Sequence, residues 1–241
     1  MKIRVIIPAV AKHFEPVALD YYSRAARSDV EISVVSLAEG PSFVGSLYQA
    51  ALAAPGTVSR IAEAEREGVD AVICDCMTDP GVEAAREVVS IPVLGPAETS
   101  FHIAAMLGHR FSVVTPIDSL VPVFHHHARR TGLQRQLASV RGVNIPSSEL
   151  GNEERVLQSL IHQAATAIRD DGAHVIIFGS TGMARLTASV KQGIEREGLR
   201  GVPVIDPAIL SLKIAEAFVD IGLSHSKRTY PTPPEKEIAG Y

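Results

Sequence analysis

Two short turn sequences carry residue types that could do chemistry. Cys76-Met77-Thr78-Asp79-Pro80-Gly81 sets a thiol at the end of an apolar run, and Gly179-Ser180-Thr181-Gly182-Met183 sets a hydroxyl at the end of another. Asp79-Pro80 has the form of a helix start, since Asp is a good N-cap and Pro suits the first helical turn. Backbone N–H groups at such a start bind a carboxylate or steady an oxyanion. A thiol placed there is expected to fall from about 8.5 toward neutrality and to serve as a general base. Gly182, without a side chain, would let a ligand come close to the second turn. A single cysteine at a strand end is usually a small hydrophobe, so Cys76 gains weight only from its place opposite Ser180 in a repeat.

The elements that must position these turns follow from hydrophobic periodicity. Short β-branched runs alternate with helical patterns: IRVIIP, a helix from about Pro16, VEISVVSL, a helix near Gln49 to Glu67, VDAVICDC, a helix from about Pro80, and IPVLGP. The second half continues with FSVVTP, a helix near Val121 to Thr131, VRGVNI, a helix near Asn152 to Asp170, AHVIIFGS, a helix from about Arg185, and VPVIDP. Strands apolar along their whole length belong to parallel sheets covered by helices on both faces. The halves also match each other: Pro8 aligns with Pro116, Gly68 with Gly172, Cys76 with Ser180 and Pro96 with Pro207. A duplicated unit of this length makes two lobes and not a solenoid. The expected fold class is therefore α/β, two pseudo-symmetric lobes, each a parallel sheet flanked by helices. Residues 1–97 with 208–241 are expected to form one lobe and 98–207 the other. Ligands of parallel sheets sit outside the carboxyl ends of the strands, so both turns should face one cleft.

Composition removes several function classes. The 241 residues are 46% hydrophobic and 21% charged with a net charge of -4, and no basic block points to nucleic acid or an anionic membrane. The opening MKIRVIIPAV reads as a buried strand and not as a signal peptide, and no run approaches a membrane span. Cys74 and Cys76, one residue apart, are poorly placed for an unstrained disulfide; they point to free thiols and a cytoplasmic, reducing setting, with Cys74 a core thiol. No Cys/His set answers a zinc pattern, so no metal is expected. Consecutive helical residues point about 100° apart, so His125, His126 and His127 cannot converge on one ion and are expected on a solvated face. No glycine pattern supports a nucleotide cofactor. Glu153-Glu154 fits a helix first turn. The proline- and charge-rich stretch from Ser226 to Tyr241 reads as a surface strap that could help pair subunits.

These residues resemble the aspartate/glutamate/hydantoin racemase family. The first turn, followed by an Ala-Ala-Arg-Glu helix, is similar to the family's first cysteine motif, and Gly179-Ser180-Thr181-Gly182-Met183 to its second, which ordinarily reads Gly-Cys-x-Gly-Met. Gly40-Pro41-Ser42 with Ala53-Ala54-Pro55 resembles a loop and helix of the same enzymes. Gly222-Leu223-Ser224-His225-Ser226-Lys227, with Tyr230, resembles the hydantoin racemase branch. The resemblance implies a two-lobed, cofactor-free isomerase acting on a small molecule and forming a homo-oligomer. One thiolate would take a proton from a carbon beside a carbonyl while a thiol on the opposite face returns one. By position, Cys76 is one acid/base and Ser180 holds the other seat. Phe43, Met77, Thr78, Thr115, Pro116, Thr181 and Gly182 would line the pocket.

Two departures shape the expectation. The family's first strand ends in an Asn-Pro-Asn-Thr type of turn, whereas this chain reads Ile7-Pro8-Ala9-Val10, without the polar groups that would grip a carboxylate or a ring amide. Serine is far less acidic than a thiol and is rarely deprotonated without a partner base. Three readings stay open: a racemase or epimerase of hydantoin-like or amino-acid-like compounds with Ser180 an engineered or weakened seat; a one-thiol enzyme like arylmalonate decarboxylase or maleate isomerase; and a silent binder of a small acid.

Overall fold

Strands buried on both faces set the architecture. Ala71–Cys74, Phe111–Thr115 and Val175–Phe178 are buried at every position, which requires helices above and below each sheet. The computed structural model describes residues 1–145 and 153–234. Among them, β1 (Lys2–Ile7), β2 (Glu31–Ser36), β3 (Ala71–Cys74) and β4 (Val93–Leu94) form one sheet in the order β2-β1-β3-β4. The strands β5 (Phe111–Thr115), β6 (Leu137–Gly142), β7 (Val175–Phe178) and β8 (Val204–Ile205) form a second in the order β6-β5-β7-β8. All pairings are parallel, with Ile6 opposite Cys74 in the first sheet and Val114 opposite Phe178 in the second. The shared order bears out the expected two-lobed α/β class.

Helices α2 (Leu47–Arg66) and α3 (Val82–Val88) cover one face of the first sheet; α1 (Glu15–Ala25) covers the other. The second sheet carries α5 (Val121–Arg130) on one face and α6 (Glu153–Arg169) with α7 (Thr187–Arg196) on the other. Two further helices, α4 (Pro96–Leu107) and α8 (Pro207–Asp220), change sides. Phe101 and Ala104 of α4 pack with Phe111, Val113 and Ile177 of the second sheet, whereas Ala208, Leu212 and Ala215 of α8 pack with Ile3, Val5 and Ile73 of the first. The helices also touch each other, so this exchange joins the lobes.

Helices α4 and α8 are absent from the strand and helix alternation read in the sequence. Both follow two-residue strands directly, and both are buried on more than one side, so neither has the single apolar stripe that marks a surface helix. Three other boundaries moved. The α3 helix starts at Val82 and not near Pro80, because Asp79 (φ 45°) and Gly81 (φ 75°) are left-handed and interrupt it. The β6 strand runs over Leu137–Gly142 and not VRGVNI, its register fixed by Phe111 opposite Leu137 and a shift between Phe111 and Ser112. The α7 helix begins at Thr187, after a 3₁₀ segment, Thr181–Leu186. The expected helix start at Asn152 lies outside the described residues.

The caps of the two crossing helices differ. Asp206 caps α8 from its own N-cap position, accepting from the amides of Ala208 and Ile209 at 2.9 Å each. At the matching position α4 has Gly95, and Asp79 supplies the cap across space, accepting from Ala97 at 3.0 Å and Glu98 at 2.9 Å. Gly95 is needed for this: a Cβ there would lie 2.5 Å from the Asp79 carboxyl carbon.

The C-terminal strap lies against α3 and β4. Lys227 donates to the carbonyls of Arg86, Glu87 and Val89, the exposed end of α3. Tyr230 packs over the guanidinium of buried Arg86, which pairs with Glu98 at 2.9 Å. His225 Nε2 accepts from the Val93 amide at 3.0 Å, which needs a neutral ring. The rest of the expected strap, 235–241, lies outside the described residues.

Gly95→Ala should destabilise the protein by about 1–3 kcal/mol in urea unfolding, because the buried carboxylate must shift off its amides. Burial and nearby Arg86 lower the His225 pKa to about 4. The unfolded chain then binds the proton first, so stability is present above about pH 6.5 and falls as pH drops toward 4. His225→Gln should flatten that part of the melting temperature against pH, read by calorimetry; an unchanged slope would count against this role.

Candidate active site

The strand-end turns are built alike. After β3, the Asp75 amide donates to Ile6 O at 2.8 Å and the Asp79 amide to Cys76 O at 3.0 Å. After β7, the Gly179 amide donates to Val114 O at 2.7 Å and the Met183 amide to Ser180 O at 3.2 Å. Each turn thus leaves its sheet at the carboxyl edge and folds back in one reverse turn, with Cys76 and Ser180 at equivalent places. Gly179 cannot carry a side chain, since a Cβ would lie 2.8 Å from the Thr115 Cβ. Gly81 is equally constrained, with the Ala54 carbonyl 2.8 Å from its Cβ position.

Both turns border one cleft of about 470 Å³ between the lobes. Of the residues picked out from the sequence, Cys76, Met77, Thr78, Pro116, Ser180, Thr181, Gly182 and Phe43 all line it. Thr115 does not: it is fully buried behind Gly179, and its hydroxyl finds no partner among the described residues. Phe43 stands at the mouth, 55% exposed. Its loop is pinned where the Ser119 hydroxyl of the second lobe donates to Gly45 O at 2.8 Å. Ser46 caps the start of α2 by accepting from the Gln49 amide, and Gln49 Oε1 in turn accepts from the Gly45 amide and the Ser46 hydroxyl. Ile7, Pro8 and Ala9 contribute an apolar wall with Phe14 and Val17.

The sequence reading passed over Tyr21, Tyr22, Asp75 and Arg185, which also line the cleft. Tyr22 donates to Asp75 Oδ1 at 2.9 Å and Tyr21 donates to Asp206. A charged residue closing an otherwise apolar strand was the available signal for Asp75.

Cys76 Sγ lies 3.2 Å from Thr78 Oγ1, and the Thr78 amide also points at it. The expected lowering of the thiol does not hold. Burial pushes the Cys76 thiol up to about 11, with Asp79 and Asp75 adding to the rise and Thr78 opposing it. The expectation put the thiol at a helix start, but α3 begins only at Val82 and Asp79 is turned toward α4, so two carboxylates stand where a positive dipole end was anticipated. Cys74, fully buried, is pushed up further by burial. Ser180 Oγ has no hydrogen-bond partner among the described residues.

The histidine run divides. His125 and His126 are exposed as expected, but His127 is 3% exposed. It sits behind the first turn, hydrogen-bonded to the Thr78 backbone and beside Asp79, and burial pulls its pKa down. Arg130, one turn on, reaches Glu83 at 3.1 Å and Asp79 at 4.0 Å. A helix of the second lobe thereby holds the turn that carries Cys76. Among the described residues no group of three His, Cys, Asp or Glu is disposed to hold a metal ion, and no helix is long and apolar enough to cross a membrane.

Known proteins match this chain along its length. A model of the Asp/Glu/hydantoin racemase family matches residues 3–215. A hydantoin racemase of Pseudomonas sp. (strain NS671) is 37% identical, the match covering 100% of this chain and 95% of the relative. Among solved structures, an allantoin racemase from Pseudomonas fluorescens superposes with a TM-score of 0.90 at 33% identity, covering 100% of both chains. One from Klebsiella pneumoniae gives 0.89 at 28%, covering 100% of this chain and 96% of the other.

Alkylation of the native protein by iodoacetamide, followed by mass spectrometry, should modify Cys76 with a rate rising to a midpoint near pH 11 and leave Cys74 untouched. A midpoint near pH 8.5 would overturn the assignment.

Proposed function

Given that the chain belongs to the Asp/Glu/hydantoin racemase family and is an isomerase of the racemase type, we propose that it interconverts the enantiomers of a cyclic amide of the hydantoin class with an apolar substituent. Cys76 and Ser180 carry this reading, since equivalent positions of a duplicated unit border one cleft from opposite lobes. The apolar wall of Ile7, Ala9, Phe14 and Val17 suits a hydrocarbon substituent, and full-length relatives bear the names hydantoin racemase and allantoin racemase.

In this mechanism Cys76 Sγ takes the proton from the carbon beside a ring carbonyl, and the C–H electron pair moves onto the carbonyl oxygen. The thiol first gives its proton to solvent, and the Thr78 hydroxyl and amide steady the thiolate left behind. A proton returns from the opposite face, where Ser180 stands. Without a base at hand the serine is a poor donor and acceptor, so the second transfer limits the rate.

Proton NMR in D2O with 5-benzylhydantoin, allantoin, aspartate, glutamate and an arylmalonate tests this. Deuterium should enter the stereocentre of the hydantoin, at a rate lowered about 100-fold or more by Cys76→Ala and raised at least about tenfold by Ser180→Cys. Absence of exchange in both the parent and Ser180→Cys proteins would overturn the proposal; decarboxylation of the arylmalonate by the parent would favour a one-thiol lyase.

A further inference from the structure

Asp75 lies between Cys74 and Cys76, just past the end of β3 at Cys74. It is partly exposed and lines the cleft. Tyr22 donates to its Oδ1 at 2.9 Å and the Thr181 hydroxyl, from the opposite lobe, hydrogen-bonds to it as well. Among the described residues no Lys, Arg or His pairs with it, and the charge that bears on it is the negative Asp206. Arg185, a cation bordering the cleft, is tied to Glu153 at 3.0 Å. A carboxylate offers about four acceptor sites, and two neutral hydroxyls leave part of that capacity and all of the charge uncompensated.

The turn after β1 offers no competing acceptor or donor side chain. Ile7, Pro8 and Ala9 line the cleft with hydrocarbon, and the Ala9 and Val10 amides are already given to Ile7 O and Pro41 O at 2.8 Å each. A planar ring held against Cys76 therefore finds, in Asp75, a carboxyl acceptor in the same cleft, its pKa pushed up by burial and by Asp206 and held down by the Tyr22 and Thr181 hydroxyls.

We propose that Asp75 accepts the ring N–H next to the reacting carbon of the substrate, and that its charge turns away ligands bearing a carboxylate. The inference rests on the cyclic-amide reading above. Asp75 would fix the ring's orientation and hence which C–H meets Cys76, while repelling ring-opened carbamoyl acids and acidic amino acids.

Calorimetric titration of the Cys76→Ala protein, which binds without turnover, separates the possibilities. The ligands are 5-benzylhydantoin, its N1-methyl derivative and N-carbamoylphenylalanine, the ring-opened acid. Adding Asp75→Ala or Asp75→Asn should weaken the N–H hydantoin by about 10- to 100-fold. The N1-methyl compound should bind no worse, and the carbamoyl acid should bind better. Equal weakening of the N–H and N-methyl ligands would reveal a structural carboxylate and overturn the inference. If either variant fails to fold, the Asp75-containing protein still decides: equal affinity for the N–H and N-methyl hydantoins overturns it, and a carbamoyl acid bound as tightly as the hydantoin does the same. A parent protein that binds no hydantoin at all would instead remove the cyclic-amide reading itself.

Discussion

The cleft depends on where the buried carboxylate of Asp79 is spent. It belongs to the turn that carries Cys76, yet its two oxygens receive the first free amides of α4, a helix whose apolar side packs on the second sheet. One charge-assisted cap therefore fixes the thiol's turn to the element that joins the lobes. Left-handed backbone at Asp79 and Gly81 is the local cost, and the missing side chains at Gly95 and Gly81 make room for the carboxylate and for the close approach of α2. His127 and Arg130 complete the grip from α5.

Duplication makes the two halves alike in backbone and unlike in side chains. The same pair of hydrogen bonds forms each strand-end turn, and the same strand order supports each. The caps, however, come from different places, Asp206 within its own helix and Asp79 across space. Side chains diverge in the same way: a thiol with the Thr78 hydroxyl and amide beside it on one side, a serine with no side-chain partner among the described residues on the other. The two faces of the cleft thus differ in chemical character.

Polarity within the cleft is equally uneven. The wall from β1 and α1 is hydrocarbon, whereas Asp75, Tyr21 and Tyr22 cluster with Cys76 near the sheet edge. Burial of the thiol, with Asp79 and Asp75 adding to the effect, keeps it protonated near neutral pH, and the Thr78 hydroxyl and amide oppose that rise.

Much of this was legible in the sequence. Strands apolar along their whole length announced buried parallel sheets, matched prolines and glycines announced two lobes, and the parallel-sheet rule brought Cys76 and Ser180 to one cleft. These features are local or periodic, so a linear reading captures them. Tertiary structure decided the rest. Asp79 next to Pro80 looks like a local cap, and only the packing of α4 shows which amides it serves. His127 looks like its neighbours in the run, and only the face of α5 pressed on the first turn buries it. Thr115 looks like a strand-end contact, but the close approach of Gly179 seals it away. The ionisation of Cys76 was the least readable of all, because a pKa reflects burial and the charges that distant segments bring near, and spacing along the chain encodes neither.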